Sequence, residues 1–141
     1  MEGLIEITPD KERAKSLLGT VAMRLDAIKL LYKTDSKKFA SKIIEEYYES
    51  ILELITALLS LDGFKTRGDM TGSHIIVIDY LRENYSELKE HEIQLVDDLR
   101  KKRIGIKYYG RHVNIDYLIS NETSIKDIIN KLKLLVDKKI I

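Results

Sequence analysis

Apolar residues recur at three- and four-residue intervals through most of this chain, and one Pro and seven Gly are all that interrupt them. A period near 3.6 is that of a helix with one buried stripe, whereas a half-buried strand would alternate at period 2. The sequence therefore predicts an all-α protein. With 141 residues, 44% of them hydrophobic, a single domain spanning 1–141 can enclose a sizeable core.

The first helix is expected to begin at Thr8 as cap, with Pro9 in its first position and Asp10 near the positive end of its dipole. Ala14, Leu17, Leu18, Val21, Leu25, Ile28 and Tyr32 mark its buried face. A second helix starts near Asp35 or Ser36 and runs to about Leu61, with Ala40, Ile43, Ile44, Tyr47, Tyr48, Ile51, Ile55 and Leu58 inward. Lys42, Glu45, Glu46, Glu49 and Glu53 form its wet side. Residues 62–73 hold three Gly and read as the longest loop. Ser73 caps a third helix to about Tyr85, and Ser86 caps a fourth that runs to about Lys107, with Gly110 as its stop. The last helix covers about Thr123 to Lys138 and can start as early as Asp116. The architecture expected is an antiparallel four-helix bundle with an additional C-terminal helix. The IIVIDYL stretch of the third helix is apolar on more than one side, which predicts a homodimer contact there or a central position.

Composition removes whole classes of chemistry. Without Cys there is no disulfide framework, thiolate metal site or cysteine nucleophile, and a reducing, cytoplasmic setting is expected. No apolar run approaches the length of a membrane span, and the N-terminal residues lack a basic leader, so a soluble, unprocessed chain without a membrane partner is expected. One Gln and four Asn among 33% charged residues resemble the amide-poor usage of hyperthermophiles. No Glu-x-x-His pair is present for a di-iron site, and neither glycine-rich nucleotide fingerprint occurs, so no metal or cofactor is expected. The three His, at 74, 91 and 112, read as scattered surface residues.

A formal charge of +1 argues against a uniformly basic nucleic-acid binder, but the charge is not evenly spread. Leu99 to His112, LRKKRIGIKYYGRH, carries Arg100, Lys101, Lys102, Arg103, Lys107 and Arg111 with no acidic residue. On a helix Arg103 falls on the apolar stripe of Val96, Leu99 and Ile106, with Arg100 and Lys107 beside it. A guanidinium there must pair, snorkel or face a cleft. Two readings stay open: a salt bridge to Glu45, Glu46 or Glu49, or a cleft that takes phosphate. Tyr108 and Tyr109 among Lys107 and Arg111 match the cation-plus-stacking composition that holds single-stranded nucleic acid. Tyr47 and Tyr48 instead continue a core stripe.

This segment resembles the signature of HEPN (higher eukaryotes and prokaryotes nucleotide-binding) domains: leucine, arginine, two residues, arginine, four residues, tyrosine or histidine, then one residue and glycine or tyrosine. The resemblance covers about Leu99 to Gly110 and extends to the order of long helices before it. It implies an all-α dimer whose composite cleft binds RNA or nucleotide phosphates, with Arg103 at the catalytic arginine position and Tyr108 where active members have histidine. Ile104 replaces the polar residue, often asparagine, that commonly follows the arginine. A metal-independent ribonuclease of this kind needs a base for the 2′-hydroxyl and a cation for the phosphate. Arg103 suits the second task, while a tyrosine with a pKa near 10 is a much poorer base than histidine at about 6.5. The resemblance thus implies a degenerate ribonuclease, and the basic and aromatic composition of the segment makes Arg100, Lys101, Lys107, Tyr109, Arg111 and His112 the expected contacts to nucleic acid. The alternative is a non-enzymatic interaction module, such as the partner of a minimal nucleotidyltransferase in a toxin–antitoxin-like pair. Arg103 and Tyr108, five residues apart, stand roughly 140° apart on a regular helix and converge only if the helix distorts or two chains meet.

Overall fold

The computed structural model describes residues 3–67 and 73–141. In chain order it contains β1 (Leu4–Glu6), α1 (Lys11–Asp35), α2 (Ala40–Asp62), β2 (Phe64–Thr66), α3 (Ser73–Asn84), α4 (Glu90–Tyr109) and α5 (Ile115–Ile140). Five helices dominate, in keeping with the 3.6 period. The antiparallel pair β1–β2, with Leu4 opposite Thr66, was not expected.

That small sheet corrects the predicted start of the first helix. Ile7 N–H donates to the Gly63 carbonyl at 2.8 Å and Asp10 N–H to the Ser60 carbonyl at 3.1 Å, so the chain stays extended past Thr8 and Pro9. Asp10 becomes the cap and accepts from Arg13 N–H at 2.9 Å. Gly63 ends α2 in the left-handed region, φ 87°, and turns the chain into β2. The expected loop over 62–73 thus begins with the last residue of α2, contains β2 and ends on the first residue of α3, and 68–72 lie outside the described residues. α1 runs on to Asp35, whose side chain accepts from Lys38 N–H at 3.1 Å in the turn before α2, so α2 starts later than expected.

α2 is the central element and packs against α1, α3, α4 and α5. Its residues from Ile43 to Leu59 include most of the fully buried large side chains, among them Tyr48, Ile51, Leu54, Ile55 and Leu58. Tyr47 and Tyr48 are buried, as their stripe predicts. Side-chain links give the directions. α1 is antiparallel to α2, since Ser60 meets Asp10 while Arg24 meets Glu46 and Glu53. α5 runs parallel to α2, because Tyr47 bonds Glu122 and Asp62 bonds Lys139. α4 opposes α5 through Tyr117 with Asp98 and Lys131 with Glu92.

Two further boundaries differ from expectation. Ser86 lies in a turn; α4 begins at Glu90, with the Lys89 N–H donating to Glu92 at 2.9 Å, and Glu92 in turn held by Lys131 at 2.8 Å. α5 takes the earlier of its two expected starts, because Asn114 caps it by accepting from Tyr117 N–H at 3.1 Å and Leu118 is fully buried. Of the IIVIDYL stretch, Val77, Ile78, Tyr80 and Leu81 are buried, while Ile75 remains exposed.

Candidate functional site

The wet side assigned to α2 is the first feature that tertiary packing revises. Glu46, Glu49 and Glu53 stand one turn apart and are largely covered, because α1 and α4 each supply an arginine to them. Arg24 of α1 pairs with Glu46 at 3.1 Å and also with Glu53. Arg103 of α4 pairs through Nε with Glu49 Oε1 at 2.8 Å, and its side chain is 16% exposed. Burial pushes the Glu53 carboxyl up against the opposing pull of Arg24, and Glu53 Oε2 has no hydrogen-bond partner. Of the alternatives for Arg103, the salt bridge to Glu49 is therefore present. Its two terminal nitrogens have no partner among the described residues and are not shut away from solvent.

His74 joins this group, against the expectation of a scattered surface histidine. It sits on the first turn of α3, half-buried, with Nδ1 3.0 Å from the Tyr48 hydroxyl and its ring centroid 5.9 Å from the Tyr48 ring. Burial lowers the imidazole below its ordinary value, and the positive charges of Arg103, Arg100 and Lys107 lower it further, against the opposing charge of Glu49. Burial and the charge of Glu49 push the Tyr48 hydroxyl well up, so it stays protonated. No spacing rule could have found this pair, since Tyr48 reads as core and His74 lies 26 residues away on another helix.

The cationic segment itself is divided between faces of α4. Arg100 turns inward beside Arg103 and is held by Asp97 at 2.9 Å. Lys101, Lys102, Arg111 and His112 instead line a groove of about 470 Å³ with Gly105 and Tyr117, between α4 and the start of α5. The chain folds back there because Gly110, at φ 62°, and Arg111 both donate their N–H to the Gly105 carbonyl. Tyr108 and Tyr109, 64% and 67% exposed, project from the end of α4, with Lys107 5.6 Å from the Tyr108 ring and Arg111 5.2 Å from the Tyr109 ring. No hydrogen bond or cation–π contact joins Arg103 to Tyr108 among the described residues. His91 and His112 are exposed, as expected.

Chemically, the Arg103 face offers an oriented guanidinium near an imidazole whose pKa is lowered, and the other face offers exposed cations beside aromatic rings. Among the described residues no group of three His, Asp or Glu is placed to hold a metal ion, and no helix is long and apolar enough to cross a membrane. No protein-family model, curated protein or solved structure matches this chain.

Proposed function

We propose that this chain is a HEPN-like helical homodimer that binds RNA or nucleotide phosphate through the cationic end of α4 around Arg103, and that it is a degenerate ribonuclease at most. The observation that carries this reading is the convergence of Arg100, Arg103 and Lys107 on one face, with the Arg103 guanidinium steered by Glu49 and its terminal nitrogens uncommitted. The exposed Tyr108 and Tyr109 beside their cations add stacking surface of the kind single strands use. In this reading the four long helices, alternating in direction, form the antiparallel bundle, and the short α3 is the additional helix inside the chain order rather than at its C-terminus.

The test is RNA binding by fluorescence anisotropy. Affinity falls as salt rises, and Arg103→Ala or Arg100→Ala weakens it by about tenfold, as loss of one charge-assisted contact does. Unchanged binding in both variants sinks the proposal. If the protein also cleaves, cleavage persists in EDTA and disappears with Arg103→Ala.

The Arg103–Glu49 pair also favours a second reading, in which Arg103 ties α4 to α2 and the cations with Tyr108 and Tyr109 meet an acidic protein, such as a nucleotidyltransferase partner. Co-purification of one stoichiometric protein from the native host, with no affinity for RNA, decides for that reading.

A further inference from the structure

The unexplained feature of the Arg103 face is a histidine that the fold holds neutral beside three cations. Tyr48 is fully buried, and its hydroxyl has no hydrogen-bond partner other than His74 Nδ1 among the described residues. A buried hydroxyl with one partner loses more by leaving its O–H unsatisfied than by leaving a lone pair unused, so Tyr48 donates to Nδ1. The single proton of the neutral imidazole then sits on Nε2, which becomes a donor. Glu49 Oε1 stands 2.8 Å from Nε of Arg103 as its ion-pair partner, and the two terminal nitrogens, without a partner among the described residues, remain as donors. Tyr48 and Glu49 are consecutive residues of α2, so one rigid turn orients both the imidazole and the guanidinium.

We propose that His74 Nε2–H and the terminal nitrogens of Arg103 form a two-armed oxyanion site, and that its ligand is a phosphate group, from an RNA phosphodiester or a free nucleotide. The inference rests on the phosphate-binding reading above and names its second arm. Neutrality suits the imidazole to this task, because it donates a hydrogen bond to an anion without adding a fourth positive charge to the three cations. The charged and titratable groups around it are Tyr48 and Glu49 from α2 and Asp97, Arg100, Arg103 and Lys107 from α4. A bound oxyanion offsets the three cations and makes protonation of His74 easier; the Tyr48 hydroxyl then turns to accept from Nδ1–H. Phosphate therefore raises the His74 titration midpoint, and affinity grows as pH falls towards it.

With only three histidines in the chain, ring-nitrogen NMR of the full-length protein resolves the question. Inorganic phosphate, adenosine monophosphate and a short single-stranded RNA are titrated in turn. The expected result is a shift of the His74 ring signals larger than those of His91 and His112, and a His74 midpoint raised by about half a pH unit or more. His74→Gln, checked for folding by circular dichroism, weakens phosphate or RNA binding by about tenfold. His74 signals unmoved by all three ligands overturn the site, and RNA binding that is lost in Arg103→Ala but intact in His74→Gln overturns it while leaving the RNA reading in place. A response to phosphate and the mononucleotide without any to RNA supports the site and removes RNA as its source.

Discussion

At the scale of single residues, the fold depends on a few polar side chains that tie helices together at their ends. Asp62, the last residue of α2, is the strongest example: Oδ2 accepts from Tyr80 and Tyr85, each at 2.6 Å, and Oδ1 from Lys139 at 2.8 Å. Burial alone would raise this carboxyl, but the bonds from Lys139, Tyr80 and Tyr85 outweigh it and hold it below its usual range. A group whose pKa is depressed by folding stabilises the protein fully above its unfolded value, near 3.9, and that contribution is lost as pH falls through the folded value. Asp62→Asn sets a donor against one of these partners and costs about 2 kcal/mol in urea denaturation at pH 7. The deficit begins to shrink as pH falls past the unfolded value near 3.9 and goes on shrinking until the folded wild-type carboxyl protonates at lower pH; a deficit that does not change with pH refutes the charge argument. None of these contacts was legible in the sequence, because Tyr80 and Tyr85 follow Asp62 by 18 and 23 residues and Lys139 by 77.

At the scale of elements, the long helices were legible and their ends were not. The stripes of α1, α2 and α5 read directly from the 3.6 period, since burying such a stripe is what stabilises a helix in a core. Thr8 and Pro9 look like a helix start, yet hydrogen bonds to Ser60 and Gly63 outcompete that local preference and delay the helix to Lys11. Gly63 is where the two influences meet. At φ 87°, an added Cβ would lie 3.0 Å from the Ile7 carbonyl oxygen, whereas at Gly110, φ 62°, it would meet nothing within 4 Å. Both substitutions to Ala incur backbone strain of about 1 kcal/mol, and Gly63→Ala adds a clash at the β1–β2 junction. Thermal denaturation should rank Gly63→Ala clearly below Gly110→Ala in stability; equal melting temperatures would show that the junction yields without cost.

For the whole molecule, the +1 formal charge conceals both segregation and pairing. The acidic stripe of α2 and part of the basic segment of α4 face each other, so Arg103 is spent partly on Glu49; Arg100 is held by Asp97 of its own helix, while Lys101, Lys102 and Arg111 look onto another groove. One RNA strand cannot use all six cations from one face. If Arg100, Arg103 and Lys107 alone meet phosphates, log K against log salt has a slope of about −2, from about 0.7 per phosphate for single strands. A slope near −4 would mean that the groove cations take part as well, and the single-face arrangement would fall. Read alone, the sequence was sufficient for helical class, for the buried stripes and for the cationic segment, because periodicity and charge are local properties of a chain. Only the tertiary structure decided which cations are paired, that Glu46, Glu49 and Glu53 are covered rather than wet, and that His74 stands with Arg103 instead of alone on the surface. Those outcomes depend on how α1, α3 and α4 settle on α2, bringing together residues whose separation along the chain carries no periodic signal.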